Sequence, residues 1–180
     1  GGGEAARLAI HVSERIAELG QESRLFETAG DGDAARQTRA ALEAGCENVV
    51  CIGGDGTICE ATGELCYKDA TFYVVPGGTG NDFARAFRLP KDPMAAFESQ
   101  LAGEPVQIDC GRMNGKSFLN VSGSGFDVAV LEKTEELKAI YPGEKAYRKA
   151  VLSVLGRYKA FEAELSIDGG KTTHEACTIV

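Results

Sequence analysis

Residues 48–57 read NVVCIGGDGT, and this stretch decides the fold. The apolar run from Asn48 to Ile52 has the length and composition of a buried strand. A glycine cluster at 53–57 follows it directly, and the residues from Ile58 to Cys66 have the pattern of a helix. A strand that passes through a tight glycine turn into a helix is one unit of a parallel α/β sheet.

The same order returns one strand later. Thr71 to Val75 predicts a second buried strand, residues 76–82 read PGGTGND, and Phe83 to Phe87 predicts a helix. Strands that are apolar throughout and alternate with helices favour a parallel sheet covered on both faces. The elements predicted upstream are a helix at 4–19, an extended segment at 23–28, and a helix that begins at Gly32-Asp33 and ends at Gly45.

The pattern changes after about Ala102, and from Pro105 onwards we predict a β-rich unit interrupted by one helix. Its predicted elements are strands at 106–113, 116–121, 161–167 and 172–180 and a helix at 144–159. Asn114-Gly115 and Asp168-Gly169-Gly170 are typical hairpin turns. We therefore expect residues 1–104 to form an α/β domain whose first strand is missing. Residues 105–180 are expected to form part of a β-rich domain whose C-terminal remainder is missing.

Charge and cysteine content exclude several classes of protein. The 180 residues include 19 Lys and Arg against 27 Asp and Glu, a formal net charge of −8, so there is no basic footprint for nucleic acid. No run approaches the ~20 apolar residues of a membrane span, and we expect no transmembrane segment. The six cysteines contain no C-x-x-C pair and are accompanied by two histidines. This argues against a zinc site and favours a reduced, cytoplasmic compartment.

The first glycine cluster is the leading candidate for chemistry. Gly53, Gly54 and Gly56 let backbone N–H groups face a phosphate without obstruction by a Cβ, and Thr57 can donate its hydroxyl. Asp55 would order this loop or lie near a metal-bound phosphate. The alternative is a tight turn in which Asp55 is only a helix cap.

The second cluster repeats this architecture. Gly77, Gly78 and Gly80 are expected to permit positive φ. The alternative is a plain turn in which Asn81 or Asp82 caps the next helix. Because neighbouring parallel strands end at the same edge of a sheet, we expect the two loops to lie side by side as one anion-binding edge. Three other nucleotide-binding patterns are missing from the sequence. They are the Walker-type G-x-x-x-x-G-K-S/T, a G-x-G-x-x-G in the Rossmann position, and the protein-kinase pair H-R-D and D-F-G.

Residues 53–57 (GGDGT) and 76–85 (PGGTGNDFAR) resemble the catalytic domain of diacylglycerol kinases and related bacterial lipid kinases. The resemblance covers nearly the whole chain. Its other segments are GGG at 1–3, GDAA at 32–35, ID at 108–109 and FLNVSGSGFD at 118–127. It implies ATP bound at the strand ends of the first domain, which would make this domain nucleotide-binding, and a lipid bound in the cleft between domains.

By this resemblance, the ATP contacts fall on Thr28, Gly53, Gly54, Asp55, Gly56, Thr57, Glu60, Gly78 and Thr79. Asp82 and Asp109 match acidic positions that organise the family's site. The alternative for Asp82 is a helix cap, and the alternative for Asp109 is a structural Asp at the end of a strand. Cys59 stands where the family usually has Asn. The relatives' general base and part of a structural metal site lie further downstream than this sequence extends, so no catalytic base or metal ligand is assigned.

The resemblance implies an ATP-dependent lipid kinase that uses Mg²⁺ and transfers the γ-phosphoryl of ATP to a lipid hydroxyl at the membrane surface. Diacylglycerol, which would give phosphatidic acid, is the leading substrate. Such an enzyme would be cytoplasmic and peripheral at the membrane, and a homodimer is one expected state. Two alternatives stay open. An NAD kinase-like enzyme shares GGDGT but should carry a different second motif, and a nucleotide-binding module without catalysis is also consistent with the loops.

One segment stands out by its charge. Residues 141–160 carry five basic residues against one acidic residue, Glu144, together with an apolar stripe. The basic residues are Lys145, Arg148, Lys149, Arg157 and Lys159. One interpretation is a helix that docks on an anionic membrane surface. The other is a solvated helix that packs on the second domain.

Overall fold

The structure is a computed structural model that describes residues 2–142 and 144–177. Its contacts divide the chain into two compact units, Gly1–Val121 and Ser122–Val180. The helices of the first unit are α1 (Gly2–Glu18), α2 (Asp33–Glu43), α3 (Asp55–Leu65), α4 (Asp82–Ala86) and α5 (Pro93–Leu101). Its strands are β1 (Asn48–Gly53), β2 (Thr71–Pro76), β3 (Gly111–Met113) and β4 (Lys116–Phe118).

The central sheet of the first unit is parallel, as the sequence predicts. β1 pairs with β2 from Asn48 opposite Thr71 to Gly53 opposite Pro76. The side chain of Gln100 on α5 hydrogen-bonds to the backbone of β2. It accepts the Val74 N–H at 2.9 Å and donates to the Val74 carbonyl at 2.8 Å. These are the hydrogen bonds that a neighbouring strand would otherwise make.

Both faces of this sheet are covered by helices. On one face, Cys51 and Val74 pack with Ile58 of α3 and Phe83 of α4. On the other face, Val75 packs with Val12 of α1 and Phe97 of α5. Each such side chain, once fully buried, stabilises the fold by roughly 1.5–3 kcal/mol. The two packed faces fix the carboxyl ends of β1 and β2, and the loops that follow them.

Three upstream or connecting elements differ from the sequence predictions. α3 begins at Asp55 with Gly54 as its N-cap, three residues before the predicted start, because apolar spacing becomes visible only from Ile58. The expected extended segment at 23–28 has no strand assignment, since it lies against no other strand in the described part of the chain. α5 was not predicted, although the Asp92 side chain accepts the Ala95 N–H at 2.8 Å and Pro93 opens the helix.

The β3–β4 hairpin belongs to the first unit. Its turn residues Asn114 and Gly115 have positive φ of 49° and 81°, which confirms the predicted hairpin. The Cys59 thiol of α3 donates to the Ser117 carbonyl at 3.6 Å, and Leu119 packs on the core under α3. The compact unit therefore extends to Val121, whereas the sequence places a domain boundary after residue 104. The assignment of 105–180 to a separate domain stays a prediction.

The cysteines differ in state. Cys66 at the end of α3 is joined by a disulfide to Cys110, which precedes β3, so the expected fully reduced set is wrong for this pair. Cys51 is a buried core residue, as expected. Burial, assisted by the nearby Glu60 carboxylate, raises the pKa of the Cys51 thiol to about 12 and keeps it protonated at neutral pH.

The second unit contains two helices and a hairpin: α6 (Phe126–Lys138), α7 (Glu144–Leu155), β5 (Phe161–Ile167) and β6 (Gly170–Cys177). The predicted turn at Asp168-Gly169 is confirmed by the antiparallel pairing of β5 with β6. The expectation of a single helix is wrong. The signal for α6 is the helical spacing of Val130, Thr134 and Leu137, of which the first two are buried. Among the described residues, no helix has the length and apolar character that crossing a bilayer requires.

Candidate functional site

The first glycine loop runs directly into the first turn of α3. Gly54 has extended backbone angles, φ −96° and ψ −175°, and its carbonyl accepts the first helical hydrogen bond, from the Ile58 N–H at 3.1 Å. The N–H groups of residues 55–57 precede that bond, so they have no partner within the helix. Such a helix end favours an anion through both its N–H groups and its dipole.

The two glycine loops touch through their backbones. A Cβ on Gly78 would lie 2.6 Å from the Cα of Gly54, closer than real Cβ atoms approach. The Gly77 N–H donates to the Gly53 carbonyl at 2.9 Å. The loops therefore lie side by side, as expected from the strand order. The expected reason for glycine is wrong, since Gly77, Gly78 and Gly80 are not among the residues with positive φ. Glycine is required at position 78 because the backbone of Gly54 lies too close to leave room for a Cβ, not because the residue has a left-handed backbone conformation.

Asn81 and Asp55 brace the second loop. The Gly78 N–H donates to Asn81 Oδ1 at 2.9 Å, and Asn81 Nδ2 donates back to the Gly78 carbonyl at 2.8 Å. Asp55 Oδ1 accepts the Phe83 N–H at 3.1 Å, so it is Asp55 that caps α4. Asn81 stands at the N-cap position of α4, but its side chain makes no cap hydrogen bond, because its amide is engaged with Gly78. Asp82 pairs with Arg85, so the alternative of a cap by either side chain is wrong.

A cavity of about 410 Å³ adjoins the first loop. It is lined by Thr28, Ala29, Gly30, Asp31, Ala34, Gly56, Thr57 and Glu60. The Glu60 carboxylate accepts the N–H groups of Gly32 at 2.9 Å and Ala34 at 3.1 Å, which fastens the beginning of α2 to α3. Asp33 Oδ2 accepts the Ala29 N–H at 2.8 Å and so shapes the turn on the opposite wall. These hydrogen bonds join the segments before and at the start of α2 to each other and to α3, beside the cavity.

The predicted site residues fall into three places. Thr28, Gly56, Thr57 and Glu60 surround the cavity. Gly53, Gly54, Asp55 and Gly78 lie where the loops meet, with Thr79 exposed on the second loop. Asp82 lies near Asp55, because a Cβ on Gly80 would be 3.0 Å from Asp55 Oδ2 and 3.8 Å from Asp82 Oδ1.

Asp109 is not brought into contact with these residues. It is exposed on the segment between α5 and β3, next to Cys110, whose disulfide anchors that segment to the end of α3. Cys59 contacts the hairpin rather than the cavity. The structure adds four residues to the cavity wall, Ala29, Gly30, Asp31 and Ala34. The first three have no periodic pattern that sequence reasoning could use, and Ala34 lies in the first turn of α2.

Two carboxylates near the cavity titrate below their ordinary range. The Ala29 N–H, assisted by Arg36, lowers the pKa of Asp33 from its usual 3.8, and Arg39 lowers the pKa of Glu64 from 4.5. A carboxylate whose pKa is lower in the folded state stabilises the fold above its unfolded-state pKa. That contribution is lost as pH falls through the folded-state pKa. Both contributions are therefore complete at neutral pH. They are small, because the arginine partners Arg36 and Arg39 are mostly exposed and solvent screens the two ion pairs.

Glu60→Ala is expected to destabilise the first unit by about 1–2 kcal/mol, because two N–H groups at the start of α2 lose their acceptor. Chemical denaturation measures this change. Glu64→Ala is the matched control: it lies one turn further along α3 and also ties α3 to α2, through an exposed ion pair with Arg39. That substitution is expected to cost at most about 1 kcal/mol. Equal losses in the two variants would show that Glu60 does not fasten α2.

These features define a class of protein, namely an α/β protein in which two contacting glycine loops adjoin a cavity at the carboxyl edge of a parallel sheet. The family model described as "Diacylglycerol kinase catalytic domain" matches residues 1–113. The chain therefore belongs to the diacylglycerol kinase catalytic-domain family. The predicted family and the predicted parallel α/β fold are both confirmed.

The curated relatives are lipid kinases by name. A "Diacylglycerol kinase" of Staphylococcus carnosus is 29% identical over 165 residues, which are 91% of this chain and 54% of that protein. A "Probable lipid kinase YegS-like" of Pseudomonas aeruginosa is 39% identical over 145 residues, 79% of this chain and 47% of that protein. The chain thus spans about half the length of these relatives.

A solved structure shares the fold. The crystal structure of a diacylglycerol kinase from Bacillus anthracis matches with a TM-score of 0.61 and 23% sequence identity. The match covers 88% of this chain and 51% of that chain.

Proposed function

We propose that this chain forms the ATP-binding part of an ATP-dependent lipid kinase. The enzyme transfers the γ-phosphoryl of ATP to the hydroxyl of diacylglycerol and gives phosphatidic acid. The observation that carries the proposal is the backbone contact between Gly54 and Gly78 beside the cavity. Membership of the diacylglycerol kinase catalytic-domain family supports the same conclusion.

In this proposal the phosphates of ATP bind at the first turn of α3. The N–H groups of residues 55–57 and the Thr57 hydroxyl donate to the phosphate oxygens, and Thr79 contributes its hydroxyl from the second loop. The nucleoside occupies the cavity between Thr28 and Glu60. Preorganised donors of this kind stabilise charge that develops during phosphoryl transfer. The general base is not assigned to any residue of this chain.

Magnesium fits the carboxylates beside the second loop. Mg²⁺ in kinases is held by one or two carboxylates together with phosphate oxygens and water. Asp55 and Asp82, whose oxygens both face Gly80, match that donor set. Asp109 is exposed between α5 and β3, apart from these two carboxylates, and its proposed site-organising role rests on the family resemblance alone. Bound to ATP, the ion would neutralise negative charge on the transferred group. No cluster of three or more candidate ligand side chains occurs within the described residues.

The protein is further proposed to work at the membrane surface where its lipid substrate lies, and to form a homodimer. The relatives' names support the lipid substrate. Analytical ultracentrifugation tests the oligomeric state directly. A monomer at working concentration would remove the homodimer from the proposal and leave the kinase reaction untouched.

The reaction is tested with radiolabelled ATP, using the protein at its full natural length. Three reactions are compared: ATP with diacylglycerol vesicles, ATP with NAD, and ATP alone. We expect labelled phosphatidic acid in the first reaction only. Labelled dinucleotide would instead support the NAD kinase-like alternative, and no labelled product with normal ATP binding would support the non-catalytic module.

A further inference from the structure

A disulfide joins two parts of the first unit that are far apart in the sequence. Cys66, at the C-terminal end of α3, is bonded to Cys110, which precedes β3, and the two are separated by 44 residues. A bond that closes a loop of this length restricts the unfolded chain and so favours the folded state. Neither cysteine lines the cavity, so the bond is a feature separate from the proposed nucleotide site.

The last turn of α3 is weakly held by its other contacts. The buried residues of α3 end at Thr62. Gly63 weakens the helix, and packing does not demand a glycine there, since a Cβ would meet no atom within 4 Å. The ion pair of this turn, between Glu64 and Arg39, is partly exposed and contributes little. The covalent bond at Cys66 is therefore the main tether of this helix end.

The segment on the other side of the bond is also weakly held. Residues 104–109 connect α5 to β3, belong to no helix or strand, and are exposed along their whole length. They include Val106, whose apolar side chain is 73% exposed. The bond at Cys110 thus fixes the end of an exposed connection to the end of α3.

The disulfide is accessible from solution. Cys66 and Cys110 are half-buried, and exposed residues flank both of them. Tyr67, directly after Cys66, is 94% exposed. Thiol–disulfide exchange requires that a thiolate reach one of the two sulfurs, which a bond sealed in a core prevents. This pair is therefore open to a reductant.

We propose that Cys66 and Cys110 form a reversible redox site, at which a dithiol reductant opens the bond and lowers the stability of the first unit. A thiolate of the dithiol attacks one sulfur of the pair, forms a mixed disulfide and releases the other cysteine as a thiolate, which takes up a proton. The second thiol of the reductant then displaces the remaining cysteine. The products are two cysteine thiols and one oxidised dithiol, so two electrons pass from the reductant to the pair.

The experiment compares the oxidised full chain with the same chain reduced by dithiothreitol, and reads the state of each cysteine by alkylation and mass spectrometry. We expect reduction to lower the Tm by at least about 10 °C. The Cys66 N–H donates to the Thr62 carbonyl at 3.0 Å in the last turn of α3. Its exchange with deuterium should become at least about tenfold faster on reduction, because this turn opens more often.

Thermodynamic linkage gives a second measure. The factor by which the bond stabilises the folded chain is also the factor by which folding favours the bond. In glutathione redox buffers, the folded chain should therefore form the bond between Cys66 and Cys110 at least about a hundredfold more readily than the same chain in urea. Equal constants for the folded and the unfolded chain would overturn the proposal.

Two variants separate the bond from the side chains that make it. Cys66→Ala/Cys110→Ala should have the Tm of the reduced parent and should not respond to dithiothreitol. Cys59→Ala is the matched control, since it removes an exposed thiol of the same helix that is not part of the bond. It should respond to dithiothreitol as the parent does.

Two results would show that the proposal is wrong. One is an unchanged Tm in a parent chain whose Cys66 and Cys110 are both shown to be reduced. The other is a parent chain in which these two cysteines remain unpaired in oxidising buffer. Neither ATP nor lipid enters the experiment, so its outcome does not depend on the proposed function.

Discussion

Asp55→Ala is expected to transfer phosphoryl groups from ATP at least about a hundredfold more slowly than the parent while remaining folded. Asp55 opens α3 in the first glycine loop, and its Oδ1 accepts the Phe83 N–H of the second loop. Its removal therefore takes away both a negative charge beside the phosphate site and the cap of α4. The loss of the cap alone should cost only about 1 kcal/mol of stability.

Two companion variants separate these roles. Asp55→Asn keeps an oxygen that can accept the Phe83 N–H but carries no charge, so it should regain stability without regaining turnover. Asp92→Ala removes a similar cap, since Asp92 accepts the Ala95 N–H at the start of α5. It should lose about 1 kcal/mol and keep its activity. Near-normal turnover in folded Asp55→Ala would contradict the assignment of this carboxylate to the site.

Gly78→Ala is expected to separate the two glycine loops. The added Cβ would lie 2.6 Å from the Cα of Gly54, and backbone cannot yield as the end of a flexible side chain can. Overpacking of this kind costs about 1–3 kcal/mol. We expect ATP affinity, measured by calorimetry, to fall at least about tenfold, and Gly78→Val to be worse.

Gly77→Ala is the matched control in the same loop. A Cβ there would meet its nearest atoms, in Gly53, at an ordinary 3.5 Å, and the residue has no positive φ. Its stability and ATP affinity should stay close to those of the parent. If Gly78→Ala binds ATP as tightly as Gly77→Ala does, the second loop is only a turn.

Features set by local sequence could be predicted. The apolar runs of β1 and β2 predict the parallel pair because each run is followed at once by glycines and a helix. Asn114-Gly115 and Asp168-Gly169 predict their hairpins because few residues other than Asn, Asp and Gly accept positive φ easily. The side-by-side loops follow from these local features together with the rule that parallel strands end at one edge.

Features set by contacts between distant segments could not be predicted. Asp55 caps a helix 28 residues away, and Glu60 holds the Gly32 N–H across the same sequence separation. The need for glycine at position 78 arises from the backbone of Gly54, which no turn rule describes. α6 shows a different failure. Its helical spacing is present in the sequence, but residues 126–138 fall within the unit predicted to be β-rich and received no helix prediction.

Amide chemical shifts in a titration with Mg²⁺ and ATP test most directly whether the two glycine loops bind the nucleotide. The N–H signals of Gly54, Gly56, Gly78 and Thr28 should shift with one common dissociation constant. Those of α1, on the far side of the sheet, should stay in place. Saturable shifts at the loops and the cavity are the predicted result. Unchanged loop signals, or shifts confined to residues outside the loops and the cavity, would contradict the assignment of the ATP site.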